Sequence, residues 1–243
     1  GQKHLSFIET RMLHWPDSMF SYLEEERVLF SQDAFGMHLA SSERFGGELN
    51  WDLLKRQAES YYANIITLYS PHIQKLLKKI EESGLKIDVV APDHGPVWRG
   101  DEKFTRLLKL YQKWSSRSLD KKVVIIYDTM WRATETMARF IEDGIKSSGI
   151  KVEVMCLSSL HRSEIADELL DAAGIVIGSS TLNNNMLPSV ADILTYIKGL
   201  KFYTPLAAVF GSYGWSGEAV KQISKSLQEM GAEIGGSVRV QYT

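Results

Sequence analysis

The sequence predicts an α/β protein built from two successive regions, and three observations carry that prediction. From Lys121 onward, short apolar, β-branched runs alternate with helical segments in compact βαβ repetition. Upstream of about residue 115, shorter strand-like runs alternate with long amphipathic helices. Between the two lies Ser115-Ser116-Arg117-Ser118, a polar stretch that reads as a linker. The expected domains are therefore residues 1–117 and 120–243.

In chain order, Arg27-Val28-Leu29-Phe30-Ser31 reads as a strand that ends on Asp33. Leu53, Leu54, Ala58, Tyr61, Tyr62, Ile65 and Ile66 recur at helical spacing and predict one amphipathic helix from Trp51 to Tyr69. Pro71 suits the opening of a second helix, Ile73 to Ser83, and Gly84 occupies the usual glycine position beyond its end. Val89-Val90-Ala91-Pro92 is a short apolar run that stops at Asp93-His94-Gly95, and a third helix is expected from Phe104 to Ser115. In the second region, strands are predicted at Val123–Tyr127, Val152–Leu157, Gly174–Gly178, Leu206–Gly211 and Val238–Tyr242. Helices are expected between them, at about 133–148, 162–172, 189–199 and 216–230. Strands that are apolar on both faces mark a parallel sheet with right-handed crossovers, and five of them over this length predict a flavodoxin-like doubly wound unit.

Composition narrows the function. With 243 residues, 44% of them hydrophobic, the chain has enough apolar side chains for real cores. A net charge of −2 and a pI near 6.4 give no reason to expect a nucleic-acid partner. Glu24-Glu25-Glu26 and Lys78-Lys79 read as solvated faces. Cys156, the single cysteine, excludes an internal disulfide, fits a reducing, cytoplasmic compartment, and reads as a small core residue. No apolar run approaches the length of a membrane span, so no membrane association is expected.

Candidate chemistry falls in two places. His14, Asp33 and His94 are imidazole and carboxylate groups in turns next to predicted strands, a donor set that suits iron, manganese or zinc. Trp15 and Trp98 flank them and are expected to shape the pocket, and His38 lies close enough in sequence to stand behind the ligands. His4, His38, His72 and His161 are expected at the surface, His38 alone with the alternative place behind the ligands. In the second region, three polar loops follow the first, third and fourth strands, where a doubly wound sheet binds its ligand. Thr129, Met130, Trp131, Arg132, Ala133 and Thr134 form a hydroxyl-rich turn into a helix N-terminus, a setting that favours phosphate. Lacking the glycines of a Walker loop or a GxGxxG turn, it disfavours a nucleoside triphosphate or NAD. The second loop carries Ser180, Thr181, Asn183, Asn184 and Asn185, and the third Ser212, Tyr213, Gly214, Trp215 and Gly217.

These segments together resemble the flavodiiron proteins, the soluble dioxygen and nitric oxide reductases. The similarity rests on LHWPDSM around His14, SQDAFG around Asp33, PDHGPVWR around His94, the Thr-x-x-x-x-Thr turn, the Asn run and GSYGWSG. The resemblance implies the C-terminal part of a metallo-β-lactamase-like αββα domain followed by the flavodoxin-like domain. It implies that His14 and His94 each ligate one iron of a non-haem diiron site and that Asp33 bridges the two. It also implies FMN in the three loops, with Thr129 and Thr134 at its phosphate and Tyr213 and Trp215 near its ring. The activity implied passes electrons from rubredoxin or another redox protein through FMN to the diiron site. That site reduces dioxygen to water, nitric oxide to nitrous oxide, or both. The assembly implied is a head-to-tail homodimer.

The sequence departs from the family at one motif. No His-x-Glu-x-Asp-His cluster occurs, so about half of the iron ligands are not among these residues. An internal fragment is therefore expected, lacking the first part of the diiron domain and a final helix. Two other readings compete. One is an FMN electron-transfer module attached to an incomplete, inactive metal domain. The other is a dizinc hydrolase fused to a flavodoxin, which mixed His/carboxylate ligation disfavours.

Overall fold

The computed structural model describes residues 2–241, and Tyr242, the last residue of the expected final strand, lies outside them. It divides into two units, Gly1–Ser118 and Leu119–Thr243.

The first unit begins with strands β1 (Leu5–Glu9), β2 (Met19–Leu23) and β3 (Val28–Gln32). A helical stretch follows: α1 (Trp51–Tyr61), a π turn (Tyr62–Ile66), a 3-10 turn (Thr67–Tyr69) and α2 (Ser70–Ser83). Strands β4 (Val89–Pro92) and β5 (Trp98–Arg99) and helix α3 (Glu102–Ser115) complete it. The sheet order is β1-β2-β3-β4-β5. The neighbours are antiparallel except β3 and β4, which run parallel because the helices between them form a crossover. Caps match the sequence signals: Asn50 accepts from the Asp52 and Leu53 amides, Asp101 accepts from Phe104 N, and Gly84 closes α2 in the left-handed region at φ 65°. The single helix expected over Trp51–Tyr69 is instead broken after Tyr61. Tyr61 and Tyr62 are both buried, and successive side chains on an α-helix point about 100° apart; the wider π turn lets both face inward. The Ser115–Ser118 stretch begins as the last residue of α3 and is buried at Ser115.

Cross-strand pairing separates the two faces of this sheet. Phe20, Tyr22, Leu29 and Ser31 are buried on one. Leu5, Phe7, Met19 and Phe30 share the other and are exposed.

The second unit runs β6 (Asp120–Tyr127), α4 (Ala133–Ser147), β7 (Lys151–Cys156), α5 (Arg162–Leu169), β8 (Ala172–Leu182), β9 (Asn185–Met186), α6 (Pro188–Leu200), β10 (Leu206–Tyr213), α7 (Glu218–Glu229) and β11 (Glu233–Gln241). Its parallel sheet has the order β7-β6-β8-β10-β11, a flavodoxin-like doubly wound arrangement whose strand order reverses between β6 and β8. Alternate residues of β6 serve opposite cores: Val124 and Ile126 join the large core under α5–α7, and Ile125 and Tyr127 join the smaller one under α4. Cys156 ends β7, partly buried against the smaller core.

The expected third strand, Gly174–Gly178, extends to Leu182, and the expected loop after it is a tight hairpin with β9. Ser179 and Ser180, polar and so read as loop, are buried in the strand; Ser179 Oγ donates to the Ser180 carbonyl at 2.7 Å and accepts from Leu187 N at 2.9 Å. No described helix is long and apolar enough to cross a membrane.

Candidate functional sites

In the first unit the parallel pairing of β3 and β4 brings their C-terminal ends to one edge of the sheet, and Asp33 and His94 follow those ends. The β1–β2 connection returns to the same edge, where Met19 N donates to the Gln32 side chain, and it carries His14. Asp33 consequently sits between the imidazoles. Its Oδ2 is 3.5 Å from His14 Nε2 and its Oδ1 is 3.2 Å from His94 Nε2. One carboxylate presenting separate oxygens to two imidazoles is an arrangement suited to bridging two metal ions. Among the described residues no group of three or more His, Cys, Asp or Glu forms a metal cluster by itself. The donors fit a two-metal site as part of a larger set, with one imidazole and one shared carboxylate for each ion.

The loops that carry these donors are fixed through their backbones. Phe35 N donates to the Tyr111 hydroxyl at 3.1 Å, and the Phe35 carbonyl accepts from Trp98 Nε1 at 2.9 Å. Met37 N donates to the His94 carbonyl at 3.2 Å. Gly36 permits that crossing, since a Cβ there would lie 2.9 Å from the His94 carbonyl. Trp98 is fully buried and acts from behind the Asp33 loop, so it does not line the pocket as expected, while Trp15 is exposed beside His14. His38, at the surface, packs edge-on against Tyr61 at 4.8 Å and His94 at 5.7 Å. Tyr61, which the sequence offers only as a core position of a helix, donates its hydroxyl to Asp33 Oδ1 at 3.1 Å. Burial first, and the Asp33 charge second, hold its phenol well above the usual range. Nothing in helical periodicity distinguishes this tyrosine from an apolar neighbour. His4 and His72 lie at the surface, and His161 caps α5.

In the second unit the three loops meet at the C-terminal edge of the sheet around a cavity of about 300 Å³. Met130, Trp131 and Ala133 line one side, Ser180, Thr181 and Asn183 another, and Ser212 through Trp215 a third. Leu182, unforeseen because it reads as a core residue, also faces it. Trp215 and Trp131 stand largely exposed at its rim. Three hydroxyls tie the loops together at the base: Thr134 Oγ1 lies 2.9 Å from both Ser180 Oγ and Ser212 Oγ, which are 3.2 Å apart. Thr134 is fully buried, so its expected place at a phosphate becomes a structural one. Thr129 Oγ1 is buried with no hydrogen-bond partner among the described residues, a polar atom next to the turn into α4 that a ligand oxygen would satisfy. Asp128 fixes this turn, accepting from Thr129 N at 2.8 Å and from Ser189 Oγ at 2.5 Å.

The remaining expected residues face elsewhere. Arg132, left-handed at φ 66°, caps α4 and pairs with Glu135 at 3.0 Å. It lines a larger but more open groove along α4, where Arg132 pairs with Glu135 and Arg139 with Glu142, so the less open three-loop cavity is the better ligand site. Asn184 and Asn185 turn toward α7, and Gly217 is the left-handed residue before it, where a Cβ would lie 3.1 Å from the Tyr213 ring. The cavity fits a flat aromatic group bearing a phosphate: it has aromatic walls and reaches the first residue of α4, Ala133, and the unpartnered Thr129 hydroxyl lies on the turn before that helix.

Comparison with known proteins agrees with both halves. Residues 125–243 match the flavodoxin family. The chain is 40% identical over 234 residues to the rubredoxin-oxygen oxidoreductase of Megalodesulfovibrio gigas, an alignment that covers 96% of this chain and 58% of that protein. It is 41% identical to the nitric oxide reductase of Moorella thermoacetica, covering 98% of this chain and 60% of the relative. The crystal structure of the flavodiiron protein from Giardia intestinalis superposes with a TM-score of 0.92 at 34% identity, covering all of this chain and 60% of that one. The chain thus spans about 60% of the length of the relatives it matches.

Proposed function

The chain belongs to the flavodiiron family, and from that premise we propose that it is the FMN-bearing and partly metal-bearing segment of a dioxygen or nitric oxide reductase. The observation that carries the reading is Asp33 held between His14 and His94 in one unit while a three-loop aromatic cavity occupies the other. When bound, FMN supplies electron transfer in single steps and the iron pair supplies the reduction of dioxygen to water or of nitric oxide to nitrous oxide. The residues of this chain do the holding. Thr129 and the first turn of α4 receive the phosphate; Trp131, Tyr213 and Trp215 enclose the ring; His14 and His94 each face one oxygen of Asp33, and Tyr61 orients that carboxylate.

The remaining metal donors come, in this reading, from further polypeptide packed on the exposed face of Leu5, Phe7, Met19 and Phe30, because an apolar patch of that kind marks an interaction surface. A head-to-tail homodimer brings the Trp215 loop of one subunit to the His14 and His94 segment of its partner, and rubredoxin or a similar cytoplasmic redox protein delivers the electrons. A second reading, an FMN electron carrier with an inactive metal domain, takes the three donors among the described residues as the whole set.

Reconstitution tests these readings. FMN is expected to bind at one per chain, and iron to remain well below two per chain until the missing donors are supplied. A chain that takes up no FMN ends the first part. Failure of His14→Ala and His94→Ala to lower iron uptake in a polypeptide that includes the missing donors ends the second and leaves the carrier.

A further inference from the structure

The hairpin that walls one side of the cavity is too small to hold itself in place. β8 and β9 share two residue pairs beyond a turn at Asn183 and Asn184, both left-handed at φ 48° and 60°. A ribbon this short is not stable alone in water. Its outer side is gripped from α7. Gln222 Oε1 accepts from Met186 N at 2.9 Å, and Gln222 Nε2 donates to Asn185 Oδ1 at 3.0 Å and to the Asn184 carbonyl at 3.3 Å. Ser216 Oγ adds a bond to Asn184 Oδ1 at 3.2 Å. A glutamine amide has one acceptor and two donor hydrogens, and this one uses both kinds on a single turn. α7 follows directly from the Ser212–Gly217 loop, which forms the facing wall of the cavity.

We propose that Gln222 is a positioning residue that braces the Asn183–Asn184 hairpin against the Tyr213–Trp215 loop and so sets the width of the slot for the flavin ring. The inference rests on the FMN reading of the cavity. Gln222 is not among the residues that line the cavity, and its hydrogen bonds go to residues 184–186 and not to the turn at Thr129, so its influence falls on the ring and not on the phosphate.

The test compares FMN with riboflavin, which shares the ring and lacks the phosphate, on the full chain and on Gln222→Leu and Gln222→Glu. Gln222→Leu removes all three bonds that Gln222 makes to the hairpin and is expected to weaken both flavins by the same factor, about tenfold. Gln222→Glu keeps an acceptor for the Met186 amide, loses both donors, and is expected to fall between. Hydrogen exchange at Met186 N–H, followed without any flavin, is expected to quicken in Gln222→Leu. Equal affinity of wild type and Gln222→Leu for both flavins overturns the proposal. So does a loss confined to FMN, or unchanged exchange at Met186. A wild-type chain that binds neither flavin overturns the FMN reading instead, while the Met186 exchange still decides the brace.

Discussion

The two candidate sites stand on the same kind of support, polar groups at one edge of a sheet, yet one is walled by described residues alone and the other is not. In the second unit every wall of the cavity arises from loops of one doubly wound sheet, and three hydroxyls lock those loops together. In the first unit the Asp33 loop is also anchored, by Tyr111, Trp98 and Tyr61, but among the described residues only three candidate donors stand for the two metals proposed. Rigidity is therefore not what separates them. A ligand recognised by adjoining loops needs only its own sheet, whereas a metal pair needs donors gathered from all the polypeptide around it.

That comparison can be broken by mutation. The largest expected effect is at Trp98, fully buried and bonded to the Phe35 carbonyl. Trp98→Ala is expected to destabilise the first unit by about 3–5 kcal/mol, read as a lower midpoint in denaturant and the loss of iron uptake. An unchanged midpoint would mean that the Asp33 loop is held by something else. Alkaline pH comes next. Burial pushes the phenols of Tyr62 and Tyr111 well above their usual range, and it pushes Tyr127 in the second unit up to about 12. A phenol whose folded pKa is raised contributes stability below its unfolded pKa of about 10 and loses it as pH rises further, by up to ~1.4 kcal/mol per pH unit for each group. Tyr61 joins Tyr62 and Tyr111 to make three strongly shifted phenols in the first unit, which is expected to lose structure at lower pH than the second. Unfolding followed by near-ultraviolet circular dichroism of each unit checks this, and the reverse order would refute it.

Smaller effects sharpen the contrast. Thr129→Ala removes the unpartnered buried hydroxyl and is expected to cost about 1–2 kcal/mol in FMN affinity with riboflavin affinity unchanged, as isothermal titration would report. An equal loss for both flavins would place Thr129 away from the phosphate. Tyr61→Phe, with one hydrogen bond to Asp33 removed, is expected to cost about 1 kcal/mol in metal binding without altering flavin binding. Metal titration of a polypeptide that includes the missing donors measures it, and an unaltered affinity would make Tyr61 a packing residue only.

Strand-helix alternation made the second unit readable, because its strands are apolar on both faces and its helices are amphipathic. The polar end of β8 was not readable. Ser179 and Ser180 are satisfied by partners distant in sequence or by local backbone, and composition gives no sign of either. His14, Asp33 and His94 stood out by residue type and position. Tyr61 and Gln222 did not, since a helix can present tyrosine to a core and glutamine to water as readily as to a site. The break after Tyr61 was hidden because neighbouring apolar residues such as Tyr61 and Tyr62 also occur within the broad apolar stripe of an unbroken helix.

The row of Leu5, Phe7, Met19 and Phe30 also sets the conditions for handling this chain. An edge strand, β1, borders that greasy face, so two copies meeting there gain both burial and backbone pairing. Purified alone, the chain is expected to self-associate as its concentration rises, and Phe7→Lys or Phe30→Lys to keep it dispersed, a difference that light scattering would register.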